Sequence, residues 1–241
     1  MLDGSDDCSP NFAIAPSVSS RVSDREKLLR LGDRVKPHFS MNSDIRIGFV
    51  GDSFVLGTGD EKSLGWVGRV CADACRQGYD VTGYNLGIRR DTSRDILQRW
   101  RDECDRRLPQ HSDARVVFSF GTNDTAIEAG KPRVSASESR ENTVEILTAA
   151  KQRYPTLFIS PPPAIDRAQN QRIFELTRDI SQLCSRLEIP YIDVHSVLLA
   201  DRNYHCEVAE TDGSHPRRRG YRKLAKLILT SPVWWFNCLE K

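Results

Sequence analysis

The sequence lacks the features that mark a membrane, secreted or nucleic-acid-binding protein. No apolar stretch approaches the ~20 residues that a membrane-spanning helix needs. The first residues, MLDGSDDCSP, are acidic where a signal peptide would be basic. An excess of charge of one sign is also lacking, because 35 basic residues nearly balance 33 acidic ones and the formal net charge is +2. We therefore expect a cytoplasmic protein without membrane insertion or a nucleic-acid partner.

Cysteine is present, but no two cysteines form a C-x-x-C pair. The seven cysteines are an odd set. Cys71 and Cys75 could share one helix face, yet no second pair or nearby histidine completes a metal site. We expect buried free thiols in a reducing compartment and no metal.

Methionine is scarce, and Met41 is the only methionine besides Met1. Residues 1–40 show no sustained periodicity, so we predict a disordered N-terminal tail with one short helical piece around SDREKLLRLG. A single domain would then occupy residues 41–241. Translation starting at Met41 is a hypothesis, which a native N-terminal peptide from upstream of that residue would contradict.

Apolar runs and amphipathic stretches alternate along the rest of the chain. Strands are predicted at 45–51, 80–85, 115–120, 156–160 and 189–194, and helices at 64–77, 92–108, 138–154, 168–187 and 221–236, the last with Trp234, Trp235 and Phe236 in the core. Strands separated by helices roughly every 30–40 residues are typical of βαβ units. We predict a three-layer α/β/α sandwich with about five parallel strands.

Polar residues collect where the predicted strands end. In chain order they include Gly51, Asp52, Ser53, Asn85, Gly87, Gly121, Asn123, Asp124, Pro162 and His195, while Asp212 and His215 precede the closing helix. Ligands of an open α/β sheet bind outside the carboxyl ends of its strands. The folding argument alone thus brings a serine, glycines, an asparagine and a histidine to one edge of the sheet.

These residue types suit nucleophilic catalysis. A serine such as Ser53 needs a base to remove its proton, and a histidine such as His215 serves best when a carboxylate orients its ring. Asp212, three residues earlier, could supply that carboxylate from the same loop. The oxyanion formed on attack needs preset donors, for which the backbone N–H groups of Ser53 and Gly87 and the Asn123 amide are candidates.

Each of these residues also has a purely structural interpretation. Ser53 could be a helix N-cap, Asn123 could cap the segment after it, and Gly87 could be a turn glycine. Asp52 is expected to be a structural hydrogen-bonding residue near the nucleophile rather than a proton carrier.

A second histidine competes for the role of base. His195 follows the last predicted strand with Asp193 nearby, but residues i and i+2 of an extended segment face opposite ways. Asp193 is therefore poorly placed to orient it, and we expect His215 to be the base and His195 to be a structural histidine with satisfied hydrogen bonds.

Taken together, Gly51-Asp52-Ser53, Gly87, Gly121-Thr122-Asn123-Asp124 and Asp212-x-x-His215 resemble the four blocks of the SGNH (GDSL-type) hydrolase superfamily, in the same order, over roughly residues 44 to 230. The resemblance implies a flavodoxin-like fold and hydrolysis of esters or thioesters without a cofactor. It assigns Ser53 as nucleophile, Gly87 and Asn123 as oxyanion donors, His215 as base and Asp212 as its orienting residue. No G-x-S-x-G elbow or P-loop spacing occurs in the sequence.

The substrate is less defined than the chemistry. The first block reads GDSF, so Phe54 could affect substrate fit, and Asp52, Arg89, Asp124 and Pro162 are further candidates for substrate contact. Arg89 and Arg90 could hold an anionic group, or they could pair with Asp60, Asp91 or Asp124 to brace the loops.

The chain has no large insertion between its blocks, and the longest connection, TAIEAGKPRVSA, could cover part of the cleft. Small or short-chain acyl substrates are therefore favoured. A carbohydrate O-acetylesterase using the same residues and a non-catalytic flavodoxin-like binding module are the alternatives.

Overall fold

A computed structural model describes residues 44–237 of the chain. The predicted N-terminal tail, Met41, Cys8, His38 and Cys238 lie outside the described residues. The strands are β1 (Ile45–Gly51), β2 (Val81–Gly87), β3 (Asp113–Ser119), β4 (Ile127–Glu128), β5 (Lys131–Pro132), β6 (Thr156–Ile159) and β7 (Tyr191–Ile192). The helices are α1 (Ser53–Leu56), α2 (Gly65–Arg76), α3 (Ser93–Arg107), α4 (Ala136–Lys151), α5 (Arg167–Arg186), α6 (His195–Leu199), α7 (Arg202–Ala209) and α8 (Arg218–Leu229).

Within the described residues, five strands form one parallel sheet in the order β2-β1-β3-β6-β7. In that register Ile45 of β1 lies opposite Val81 on one side and Asp113 on the other. When these five strands are numbered along the chain, they lie side by side in the sheet in the order 2-1-3-4-5, which is the flavodoxin-like arrangement. The predicted α/β fold is confirmed.

The core lies on both faces of the sheet, because successive residues of a strand point to opposite sides. On one face Phe49 packs with Trp66 of α2 and Tyr221 of α8. On the other face Phe118 packs with Trp100 of α3, and this cluster extends to α4 and α5. A strand buried on both sides reads as a continuous apolar run, which is why β1 was readily predicted.

The differences from the predicted elements concern short segments. The connection from residue 125 to residue 136 contains the β4–β5 hairpin, and α1, α6 and α7 are short helices that the sequence pattern did not predict. The closing helix ends at Leu229 rather than at residue 236, ahead of Pro232, which disfavours helix at the residue before it. Trp234 and Phe236 are buried in the core as expected, but they lie beyond the helix.

The thiols only partly match the expectation. Within the described residues, five cysteines are free, and Cys104 and Cys184 are buried whereas Cys75 and Cys206 are exposed. No cluster of metal-ligating side chains occurs in residues 44–237. In the same part of the chain, no helix has the length and apolar character needed to cross a bilayer.

Candidate active site

The nucleophile candidate is fixed by the junction between β1 and α1. Asp52 is the N-cap of α1, with its Oδ1 accepting a hydrogen bond of 2.9 Å from the Phe54 N–H, so the N-cap alternative for Ser53 is wrong. Gly51 is required just before it, because a Cβ there would lie 2.0 Å from the Ser119 carbonyl oxygen. Ser53 is thereby held as the first residue of α1 at the carboxyl edge of the sheet.

The base candidate, His215, is far from Ser53 in the sequence but lies beside its hydroxyl in the fold. His215 Nε2 lies 2.7 Å from Ser53 Oγ, and His215 Nδ1 lies 2.7 Å from Asp212 Oδ2. The His215 backbone N–H also donates to Asp212 Oδ1 at 2.9 Å. With the ring proton on Nδ1, the ring donates to Asp212 and accepts from Ser53. The three side chains thus form one continuous hydrogen-bonded chain.

The carboxylate of this chain is held in its ionised form. Burial alone would raise the pKa of Asp212, but the hydrogen bonds from the backbone and ring of His215 and from the Ser214 N–H outweigh it, and the pKa is lowered. An ionised Asp212 can stabilise an imidazolium at His215 when the ring takes a proton.

The loop that carries the base is held against the loop that carries the nucleophile. The Phe54 and His215 rings lie 4.9 Å apart between centroids. The Tyr221 hydroxyl of α8 donates to the Thr58 carbonyl at 2.7 Å, and the Thr211 hydroxyl donates to the His215 carbonyl. The His215 ring thus packs against α1, its carbonyl is bound from the turn after α7, and α8 is tied to the turn after α1.

Gly87 lies at the end of β2 beside the nucleophile helix. A Cβ at this position would lie 2.2 Å from the Leu56 nitrogen, so close backbone approach, rather than turn geometry, requires the glycine. Its N–H donates to Asn85 Oδ1 at 3.0 Å, and Asn85 Nδ2 in turn donates to the Val55 carbonyl at 2.8 Å.

Asn123 connects the three loops at the carboxyl edge. Its Nδ2 donates to the Asp91 carbonyl at 2.9 Å and lies 3.4 Å from Asp52 Oδ2, so it does not cap the segment that follows it. The Asp91 carboxylate accepts from Arg99 Nε at 2.7 Å, and Arg99 Nη2 donates to the Gly51 carbonyl at 2.9 Å. Asn123, Asp91 and Arg99 thus tie the ends of β1, β2 and β3 together.

Two buried carboxyl groups lie beneath this edge. Burial raises the pKa of Asp52 to about 7, against the opposing hydrogen bond from the Phe54 N–H. Burial also raises the pKa of Asp124, whose oxygens accept from the Ser93 N–H at 2.7 Å and from the Ser139 hydroxyl at 2.5 Å. Asp124 therefore joins α3 to α4, and Asp52 supports α1.

Of the five candidates for substrate contact, Arg89 lines the cleft. The other four are buried and bound internally: Asp52 to Phe54, Phe54 against His215, Asp124 to Ser93 and Ser139, and the Pro162 carbonyl to the Thr122 hydroxyl. These four offer no surface to the cleft, and the geometry gives them a supporting position instead.

The arginine pairs differ from those expected. Arg90 pairs with Glu128 at 3.3 Å rather than with any of the three predicted acids. Those acids have other partners: Asp60 binds Arg69, Asp91 binds Arg99, and Asp124 binds Ser93 and Ser139. The partner of Arg90 was not predicted, because Glu128 lies in the β4–β5 hairpin, which the sequence pattern did not predict.

The cleft above Ser53 has a volume of about 330 Å³. The cleft is lined by Ser53, Asn123, Asp212 and His215 together with residues of the β4–β5 connection such as Ile127 and Glu128.

His195 is not part of this site. It begins α6, is fully buried and does not line the cleft, and the Pro161 backbone is the one hydrogen-bonding group that acts on its ring among the described residues. Burial lowers the pKa of His195. Asp193 Oδ1 instead accepts from the Ser196 N–H at 3.1 Å and does not orient the His195 ring.

The sequence placed Asn85 and Asp91 near this edge without giving them their present partners, and it did not reveal the supporting residue Arg99. Arg99 left one signal, because it lies three residues after buried Ile96 and one before buried Trp100, at the margin of an apolar helix face. Which carbonyl its guanidinium binds depends on strand register, which no spacing along α3 encodes.

Comparisons with known proteins identify the family and the fold of the chain. The sequence model of the GDSL-like Lipase/Acylhydrolase family matches residues 49–223. A lipase/acylhydrolase from Enterococcus faecalis is 26% identical, with 76% of this chain and 92% of that chain covered and a TM-score of 0.63. Axe2, an acetylxylan esterase from Geobacillus stearothermophilus, shares the fold at 18% identity, with 78% and 94% covered and a TM-score of 0.64. No curated protein matches the sequence significantly.

Proposed function

Because the chain belongs to the GDSL-like lipase/acylhydrolase family and is a hydrolase of ester bonds, we propose that it cleaves carboxylic esters or thioesters through a covalent acyl-enzyme on Ser53. The observation that carries this proposal is the hydrogen-bonded chain from Ser53 Oγ through the His215 ring to Asp212, with 2.7 Å at each step. A flavodoxin-like binding module has no need for such a chain.

In the first step Ser53 Oγ attacks the carbonyl carbon of the ester while its proton passes to His215 Nε2. Asp212 keeps the second ring proton on Nδ1 and stabilises the imidazolium that forms. The carbonyl oxygen becomes an oxyanion. The Ser53 and Gly87 N–H groups and the Asn123 amide are its proposed donors. As the first residue of α1, Ser53 has no acceptor for its N–H within that helix.

In the second step the tetrahedral intermediate collapses and the bond to the leaving group breaks. The His215 imidazolium returns its proton to the leaving alkoxide or thiolate, which departs as alcohol or thiol. Water then enters, gives a proton to His215 and attacks the acyl carbon. A second collapse releases the carboxylic acid and restores the Ser53 hydroxyl.

The substrate proposed is a small or short-chain acyl ester. The cleft of about 330 Å³ is at the small end of ligand sites, and its lining is rich in polar side chains. That polar lining also favours a second candidate, a carbohydrate O-acetylesterase, which is the activity in the name of Axe2. Nitrophenyl esters of rising chain length, assayed beside an acetylated xylo-oligosaccharide, separate the two.

A fluorophosphonate probe with peptide mass spectrometry tests the mechanism. We expect covalent labelling at Ser53 in the wild type, no labelling in Ser53→Ala, and strongly slowed labelling in His215→Ala. His111→Ala is the matched control, because His111 is an exposed histidine remote from the hydrogen-bonded chain. Labelling that is unchanged in His215→Ala, or absent from Ser53 in the wild type, contradicts the proposal.

The cytoplasm is the compartment we propose for this reaction. Five cysteines of the described domain are free thiols, which fits a reducing compartment.

A further inference from the structure

Three arginines line the cleft beside Ser53 and His215. Arg89 and Arg90 lie in the turn after β2, and Arg133 follows the β4–β5 hairpin. Two carboxylates share this lining, and one of them, Asp212, is bound to His215. The other, Glu128, is shared by Arg90 and Arg133 at 3.3 Å each. Positive charge is therefore in excess at the cleft, although basic and acidic residues nearly balance over the whole chain.

Arg89 carries most of this excess. Its side chain is exposed, and no carboxylate of residues 44–237 lies within ion-pair distance of it. The three acids that sequence analysis offered as its partners are bound elsewhere. A guanidinium has a planar fork of donors that matches the oxygens of a carboxylate or a phosphate.

The turn that presents Arg89 is held in place rather than loose. Arg90 has a φ of +70°, which is uncommon for a residue with a side chain. Its carbonyl accepts a hydrogen bond of 2.7 Å from Arg133 Nη1, and the Asp91 N–H closes the turn onto the Ile88 carbonyl at 3.3 Å. Strained backbone that neighbouring contacts maintain is found most often at binding sites.

We propose that the ester cleaved at Ser53 carries an anionic group, a carboxylate or a phosphate, which Arg89 binds at the mouth of the cleft, with Arg90 and Arg133 adding to the attractive field. This inference rests on the proposed function and names the substrate class for that same site. Opposite charge at a cleft raises the rate of encounter and fixes the orientation of the bound molecule.

Three acetate esters with different charges test the inference. These are 4-acetoxybenzoate, its uncharged methyl ester, and 4-acetoxyphenyl phosphate, so the acyl group is constant. The quantity measured is the ratio of kcat/KM for each anionic ester to kcat/KM for the methyl ester. A hydrogen bond to a charged group contributes ~1.5–3 kcal/mol, so we expect Arg89→Gln to lower the ratio roughly 10- to 100-fold. Added salt should lower the wild-type ratio as well.

Two further variants make the result decisive. Arg89→Lys keeps the charge without the fork and should restore part of the ratio. Arg140→Gln removes an exposed arginine that pairs with Asp179 away from this cleft, and the ratio should stay at the wild-type value. If Arg89→Gln lowers the ratio for only one of the two anionic esters, that ester identifies whether a carboxylate or a phosphate is bound. Equal losses for all three esters in Arg89→Gln, or no change in the ratio, overturn the inference.

The outcome is distinguishable from failure of the proposed function. If the fluorophosphonate labels Ser53 and the methyl ester is hydrolysed without any effect of charge, only the substrate class is wrong. If Ser53→Ala retains full activity on all three esters, the acyl-enzyme proposal fails first.

Discussion

The nucleophile side and the oxyanion side of the candidate site are organised differently. On the nucleophile side, Ser53, His215 and Asp212 already form the hydrogen bonds that proton transfer needs, at 2.7 Å. On the oxyanion side, two of the three candidate donors are engaged with the protein itself. The Gly87 N–H donates to Asn85, and the Asn123 amide donates to the Asp91 carbonyl. The hydrogen bonds of the nucleophile side are already complete. On the oxyanion side, the Gly87 N–H and the Asn123 amide would have to exchange their present acceptors for the oxyanion of the proposed mechanism.

This difference indicates where substrate binding has to do work. An oxyanion bears more negative charge than a neutral amide or carbonyl oxygen, and charged acceptors form stronger hydrogen bonds. In the proposed mechanism, this exchange would favour the tetrahedral intermediate over the bound ester, which is the condition for lowering the barrier. Asn85 and the Asp91 carbonyl are the acceptors that hold the Gly87 N–H and the Asn123 amide in the structure.

Removing Ser53 or His215 on the nucleophile side gives the largest expected effect. We expect Ser53→Ala and His215→Ala each to lower kcat by roughly 10⁴- to 10⁶-fold, because the two residues act as one unit in serine hydrolases. The double variant should be little worse than either single variant. The measurement is steady-state hydrolysis of a nitrophenyl ester. Additive losses in the double variant would show that the two residues act independently.

Asp52 supports both sides, and its titration provides the next test. Its pKa is raised to about 7 by burial, above the 3.8 of the unfolded chain. Between these values the folded protein holds a proton that the unfolded chain has lost, so the free energy of unfolding falls as pH rises from 4 to 7. A shift of this size is worth on the order of 4 kcal/mol. Asp52→Asn should remove that pH dependence.

Urea unfolding at a series of pH values measures this effect. The free energy of unfolding of Asp52→Asn, relative to wild type, should rise with pH up to 7 and then stay level. Asp113→Asn is the control, since the Arg115 side chain lowers the pKa of Asp113, and its difference from wild type should be flat between pH 5 and 7. A flat difference for Asp52→Asn as well would mean that this carboxyl group is ionised in the folded protein.

Asn123 provides the test of the oxyanion side. Loss of one side-chain donor typically lowers kcat by ~10²- to 10³-fold, and we expect this for Asn123→Ala with KM little changed. If Asn123 only anchored the Asp91 loop, the variant would lose thermal stability while retaining kcat within a few-fold. Measuring kcat and the melting temperature together distinguishes these results.

Much of this organisation could be predicted from the sequence, and the exceptions share a cause. Apolar runs predicted the parallel sheet. The three-residue spacing of Asp212 and His215 in one loop, with the resemblance to the SGNH superfamily, predicted their hydrogen-bonded chain with Ser53. The short α6 and α7, the β4–β5 hairpin and the partners of Arg99 were not predicted. Short elements have too few residues to show a periodic pattern. The Arg99 contacts depend on how the register of β1 and β2 places the Gly51 carbonyl beside the Asp91 loop.

Arg99 gives the smallest expected effect. It touches neither Ser53 nor the cleft but joins the Gly51 carbonyl to the Asp91 carboxylate. We expect Arg99→Met to lower kcat roughly tenfold, the equivalent of one displaced hydrogen bond. Arg99→Lys should recover part of the loss. Arg101→Met, on the exposed side of the same helix, is the control and should leave kcat unchanged. Equal losses in the two methionine variants would point to α3 stability instead.

The strand order and the position of His215 have a consequence for the newly made chain. Synthesis completes the serine, both oxyanion loops and the whole parallel sheet before the ribosome reaches Asp212, and Tyr221, which ties α8 to the serine loop, comes later still. In the proposed mechanism, the Ser53 hydroxyl of a nascent polypeptide therefore has no base until the segment that begins at Asp212 has emerged and docked. We expect cleavage just before Asp212 to abolish the proposed activity while leaving all five strands of the sheet in the remaining chain.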